Sequence, residues 1–220
     1  MLINADTIIR VVRQTRQAWI CGYTGSYKTS LAYRLAYEFV LKRKYVRHIF
    51  SNNHSVWADN IENQVDQIDG VVIIDEGGAY IEGKKEVTNF KWLAEKLNVI
   101  YLVPSNEEPP VNFRQVRIEP MWTIYDSGIP LIVYRWETKK GGKKDHGFFG
   151  WWKPSEIYGV YSRQDPGDDT TKLLQEVNRI TRNFFEKFGR TNQPRKVDFA
   201  WWETVDKVAE VAEKALERGL

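Results

Sequence analysis

The spacing of apolar residues changes repeatedly along the chain, and each change marks a predicted element. Residues 6–17 (DTIIRVVRQTRQ) read as a short helix with Arg10, Arg13 and Arg16 along one side. Trp19-Ile20-Cys21 reads as a short buried strand, and Leu31, Leu35, Phe39 and Val40 then recur at helical spacing. Tyr45 to Phe50 has strand character and ends at Ser51-Asn52-Asn53, a turn signal. Val71-Val72-Ile73-Ile74 places four β-branched residues in a row, the pattern of a strand buried on both faces of a parallel sheet. Glu86 to Leu97 predicts a helix with Phe90, Leu93, Ala94 and Leu97 on one side, and Val99 to Val103 a second buried strand broken by Pro104.

From Trp122 the pattern turns antiparallel: Trp122 to Tyr125, a turn at Asp126-Ser127-Gly128, then Leu131 to Trp136. The end is helical. Thr171 to Phe188 aligns Leu173, Leu174, Val177, Ile180 and Phe184 on one face, and Val197 to Leu216 follows after a Gly-Arg-Thr-Asn-Gln-Pro break. Strand and helix alternating in this way predict an α/β fold. Its centre is a mainly parallel sheet, with antiparallel strands added at one edge and C-terminal helices covering the sheet or docking on a partner.

At 220 residues the chain has enough core for one medium domain. A net charge of +3 is mild, so any nucleic-acid contact must come from local patches. The one cysteine excludes an intramolecular disulfide and a cysteine zinc cluster, which suits a reducing compartment. The sequence holds no apolar run near the roughly 20 residues of a membrane span and no signal-peptide pattern, so a soluble, cytoplasmic chain without membrane insertion is expected. Nine tryptophans, several in pairs (Trp151-Trp152, Trp201-Trp202), point to a Trp-rich core or an adhesive surface.

The chemistry concentrates at Ile20 to Ser30. The pattern G-x-x-x-x-G-K-[S/T] fits at Gly22, Lys28 and Thr29, with Tyr27 in place of the second glycine. In such a loop backbone N–H groups crowd around phosphate oxygens, and the following helix points its positive end at the same anion. The lysine reaches the terminal phosphates, and the hydroxyl at Thr29 would ligate Mg²⁺. The candidate nucleotide contacts are therefore Gly22, Tyr23, Thr24, Gly25, Ser26, Tyr27, Lys28, Thr29 and Ser30. The plainer reading is a Gly-rich strand-to-helix turn with an exposed lysine.

Asp75 and Glu76 close the β-branched run, at the end of a strand where open α/β sheets bind ligands. Asp75 would hold Mg²⁺ through its water shell, and Glu76 would orient and deprotonate the water attacking a γ-phosphate. Ser105 or Asn106, ending the next strand, could sense that phosphate. Arg114 or Arg117 could be an arginine finger acting in a neighbouring subunit, or else a surface ion pair. Four lysines around Gly141-Gly142 form either a basic tip for phosphates or a solvated hairpin end. The aromatic stretch from Phe148 to Tyr161 could stack on nucleotides or fill the core. His48 and His54 lack metal-ligand partners and read as structural.

This order of features resembles the FtsK/HerA-type ATPases, above all the compact viral genome-packaging ATPases and the zonula occludens toxin-like assembly ATPases of filamentous phages. In the latter a loop of the form G-x-x-G-x-G-K-S is matched by Gly22-Tyr-Thr-Gly25-Ser-Tyr27-Lys28-Thr29. The stretch Glu156 to Ser162 resembles a short tyrosine-containing motif that closes their domain. Two features depart from the pattern: Tyr27 replaces a glycine, and Ser105-Asn106 stand where these families usually carry a glutamine sensor. The resemblance covers roughly residues 18–165 and implies a P-loop ATPase domain there; the domain expected is 1–168, with 169–220 as a helical extension outside the resemblance. It also implies a homo-oligomeric ring, hexameric in form, that uses ATP and Mg²⁺ to move double-stranded or single-stranded DNA. Capsid or virion assembly proteins would be its partners, in the host cytoplasm or on the virion. The alternatives kept beside it are a phage morphogenesis ATPase acting on coat protein, a small-molecule P-loop kinase, and a non-hydrolysing nucleotide-binding subunit.

Overall fold

Val71 to Ile74 are all fully buried, and they alternate between two separate cores. Val71 and Ile73 face one, Val72 and Ile74 the other. Ile100 and Leu102 against Tyr101 and Val103, and Ala18 and Ile20 against Trp19 and Cys21, divide in the same way. Such runs are apolar throughout because neither face meets water. The computed structural model describes residues 1–79, 94, 96–109, 116–126, 128–140, 143–152, 159–162 and 167–188. The chain divides into two compact units, Met1–Lys187 and Phe188–Leu220.

Within the first unit the elements run β1 (Leu2–Ile3), α1 (Asp6–Thr15), β2 (Gln17–Cys21), α2 (Lys28–Tyr37), β3 (His48–Ser51), β4 (Gly70–Ile73), β5 (Val99–Ser105), β6 (Val116–Asp126), β7 (Ile129–Lys140) and β8 (Lys143–Trp152). A long helix, α3 (Gly167–Phe188), follows. The fold is mixed α/β, and among the described residues one eight-stranded sheet is ordered β1-β8-β7-β6-β2-β5-β4-β3. Strands β3, β4, β5, β2 and β6 pair in parallel, and β6, β7, β8 and β1 pair antiparallel. The antiparallel strands therefore stand at one edge, as the sequence pattern predicts.

Residues of α1 and α2 pack into one core, and Leu173, Val177 and Ile180 of α3 into the other with Ala94 and Leu97. The predicted helix at 86–97 otherwise lies outside the described residues, as do the segment 197–216 and Gly141-Gly142.

Several boundaries differ from the expectation. Helix α1 stops at Thr15 because Arg16 takes the left-handed conformation (φ 60) and its N–H bonds back to the Val12 carbonyl at 2.8 Å, so β2 begins at Gln17. Helix α2 ends at Tyr37 in a π-helical turn, Glu38–Lys42, whose buried Glu38 carboxylate pairs with Arg34 at 2.5 Å. The strand expected from Tyr45 begins only at His48, after Lys44 in a positive-φ conformation. His48 is structural, with its ring nitrogen 3.1 Å from Asp59. Of the aromatic stretch, Phe149 and Trp151 are buried in the core while Phe148 is half exposed.

What positions the site is the strand order. The chain leaves β2 through α2, reaches the far edge at β3, returns through β4, and then inserts β5 between β4 and β2. The carboxyl ends of β2, β5 and β4 therefore stand side by side.

Candidate functional site

Gly22 leaves β2 with φ 149, so tightly placed that a Cβ there would lie 2.9 Å from the Pro120 ring of β6. Ser26 closes the loop by donating from its hydroxyl to the Tyr23 carbonyl at 2.6 Å. Tyr23, Thr24 and Gly25 stay exposed at the rim. Tyr27 takes φ 63 and ψ 24 as the residue before α2, the left-handed region that a glycine occupies without strain. Its half-buried ring packs against the core under the loop. The tyrosine thus preserves the turn at a backbone cost instead of abolishing it.

Helix α2 then starts at Lys28, whose Nζ donates to the Tyr23 carbonyl at 3.0 Å and to Asn106 Oδ1 at 2.8 Å. Burial lowers the Lys28 pKa, and the nearby Glu76 and Asp75 act against that shift. Thr29 Oγ1 donates to Asp75 Oδ1 at 2.7 Å, which joins the loop to the end of β4. Ser30 points elsewhere, its hydroxyl 2.9 Å from that of Tyr161, whose ring stacks on Tyr33 at 4.9 Å.

The acidic pair is held more closely than its sequence suggests. Asn53 Nδ2 donates to Asp75 Oδ2 at 2.6 Å. Asn52 accepts from the Asp75 N–H at 2.8 Å and donates to the Asp75 carbonyl at 2.9 Å. Burial pushes the Asp75 carboxyl above the ordinary carboxylate range, while the Asn53 and Thr29 donors pull it back. Glu76 follows at φ 51 with its side chain exposed. A Cβ on Gly77 would meet Val103 at 2.4 Å, and one on Gly78 would meet Ser105 Oγ at 2.3 Å, so the turn after the acids lies directly on β5.

Asn106, just past β5, is the polar side chain between the two halves. Its Nδ2 lies 3.4 and 3.3 Å from the Glu76 oxygens while its Oδ1 takes the Lys28 bond. Ser105 is occupied by the Glu107 N–H at 3.0 Å, and Trp19 Nε1 anchors the same loop on the Glu107 carbonyl at 2.8 Å. Arg117 bonds Glu108 through Nε at 3.0 Å and Nη2 at 2.6 Å and pairs with Glu119 at 2.5 Å. Arg117 is thus engaged by carboxylates of its own chain, and Arg114 lies outside the described residues. Of the arginines expected along one side of the first helix, Arg13 of α1 lies over the Tyr45 ring, and Arg16, just past α1, bonds Asn98 at 3.0 Å.

The structure therefore brings Lys28, Thr29, Asp75, Glu76 and Asn106 into one corner. A cation at a helix N-terminus beside two carboxylates suits a polyphosphate accompanied by a divalent ion. Among the described residues no cluster of three or more His, Cys, Asp and Glu could hold a metal alone. The donor pair Thr29–Asp75 fits Mg²⁺, which takes one or two protein oxygens and completes its shell with water and phosphate. The residues that sequence reasoning passed over are Asn52 and Asn53, visible there only as a turn.

No family profile and no curated protein matches the chain. Among solved structures it is similar to the Legionella pneumophila ATPase DotB, at 12% identity and a TM-score of 0.32 over 83% of this chain. The match spans 59% of the DotB chain. An uncharacterised protein is similar at 12% identity and a TM-score of 0.19, over 76% of this chain and 91% of that one. Among the described residues no helix is long and apolar enough to cross a membrane.

Proposed function

We propose that this chain is a P-loop ATPase of the FtsK/HerA type that hydrolyses ATP to drive DNA movement, with viral genome packaging as its setting. The observation that carries the ATPase reading is the meeting of Lys28 and Thr29 with Asp75 and Glu76 across Asn106. Lys28 and the N–H groups opening α2 bind the β- and γ-phosphates. Thr29 and Asp75 are the residues that would hold Mg²⁺, which supplies charge neutralisation on the phosphate oxygens. Glu76 orients the attacking water and takes its proton, a role that its exposed carboxylate beside Asn106 supports. Asn106 contacts both Lys28 and Glu76, which supports it as the side chain that senses the γ-phosphate.

DNA as the track, a hexameric ring and a finger arginine supplied in trans by Arg114 are supported by the order of motifs along the chain. The test is steady-state phosphate release by the purified chain, with and without double-stranded DNA, using Lys28→Ala as the blank. DNA-stimulated turnover that the variant loses supports the translocase. Turnover indifferent to DNA contradicts it and points to an ATPase acting on protein.

A further inference from the structure

The sheet ladder between β3 and β4 ends at the Ser51–Ile73 pair, yet the tie between the two strands continues through side chains. Beyond that point the Asn52 amide does what a backbone rung would do, accepting from the Asp75 N–H and donating to the Asp75 carbonyl. The same Nδ2 reaches the buried Thr170 hydroxyl of α3 at 2.6 Å. Asn53 bonds the Asp75 carboxylate itself, and its own N–H is held by Ser51 Oγ at 3.1 Å. Ser51 in turn accepts from Tyr33 of α2 at 2.7 Å. Both asparagines are buried, Asn52 at 2% and Asn53 at 6% exposure, and buried amides are retained where they are fully partnered.

We infer that Asn52 and Asn53 are the positioning residues of the acidic pair, with separate duties. This inference rests on the nucleotide reading of the site. Asn53 divides the two Asp75 oxygens: Oδ2 is taken, so Oδ1 is the one turned to Thr29. That fixes the carboxylate in the orientation from which it and the Thr29 hydroxyl meet a divalent ion together. Asn52 grips Asp75 by its main chain, just before Glu76 enters the left-handed region at φ 51, a conformation that persists only where neighbours impose it. Partners of this kind behind a metal ligand typically carry about 10- to 100-fold in metal affinity or activity.

The test uses the full chain and a fluorescent ATP analogue titrated with and without Mg²⁺. Asn53→Asp keeps the shape of the side chain but turns the donor into a second carboxylate facing Asp75. Asn53→Ala removes the donor outright. Asn53→Ala should bind the analogue as wild type does without Mg²⁺, and both variants should need about tenfold or more Mg²⁺ for the tighter complex. Wild-type Mg²⁺ dependence in the isosteric Asn53→Asp variant would overturn the inference, even if Asn53→Ala failed to fold. Wild-type protein that binds no nucleotide under either condition would overturn the underlying reading, and this inference with it.

Discussion

Lys28 Nζ donates to Asn106 Oδ1 at 2.8 Å across 78 positions of sequence, and the same amide turns its nitrogen to Glu76. Insertion of β5 between β2 and β4 makes this bridge possible, because it sets Asn106 between the loop and the acidic turn. Asn106→Ala removes both contacts and leaves the loop backbone in place. Nucleotide affinity should stay near wild type while kcat falls at least about tenfold, as expected for a group that orients reacting partners. Equal losses in binding and turnover would instead make Asn106 a simple binding contact.

Tyr27 gives a backbone test of the loop. A tyrosine at φ 63 costs about 1–2 kcal/mol relative to a residue that accepts the left-handed region freely. Tyr27→Gly removes that cost and should retain nucleotide binding despite losing the ring contact. Tyr27→Ile, β-branched and poorly suited to positive φ, should weaken binding by about tenfold or more. Fluorescence titration of the two variants checks this; a matching loss in both would assign the effect to the ring.

The lowered Lys28 pKa carries a pH signature. Since kcat/KM reports free-enzyme ionisations, its alkaline limb should fall at a pH below 10.5, the ordinary lysine value. The sign for stability is opposite. Between the native pKa and 10.5 the unfolded chain binds more protons at this lysine than the folded one, so this group's contribution to stability rises with pH across that window. Lys28→Met should abolish binding without lowering thermal stability at neutral pH. A melting scan beside a binding assay separates the two effects.

Trp19 links the core to the site. It is fully buried and its Nε1 donates to the Glu107 carbonyl next to Asn106. Trp19→Phe keeps an aromatic ring but leaves that carbonyl without the bond, at about 1–3 kcal/mol. The melting temperature should drop by about 2–4 °C for each kcal/mol lost. Turnover should fall along with it, because the loop carrying Asn106 loses its anchor. A destabilised variant with unchanged kcat would detach Trp19 from the site.

The strands were legible where burial acts on both faces, since Val71 to Ile74 and Val99 to Val103 can hardly be anything else. The sequence pattern singles out Lys28, Thr29, Asp75 and Glu76, and the structure brings these four residues together. Asn52 and Asn53 were not legible, because a side chain that bonds a strand 22 or 23 positions later leaves no period in the sequence. Nor was the end of α1, where an arginine instead of a glycine takes the left-handed turn. The two-residue strand β1 is too short to show a pattern. The neighbourhood of Asn106 and Glu76 depends on strand order, which the linear sequence of motifs does not state.

The most direct measurement pairs nucleotide binding with phosphate release for wild type, Glu76→Gln and Lys28→Ala under one set of conditions. If the loop and the acidic turn form one hydrolytic site, wild type binds and hydrolyses ATP, Glu76→Gln binds without turnover, and Lys28→Ala does neither. Turnover by Glu76→Gln at the wild-type rate, or ATP binding by Lys28→Ala equal to wild type, would contradict it.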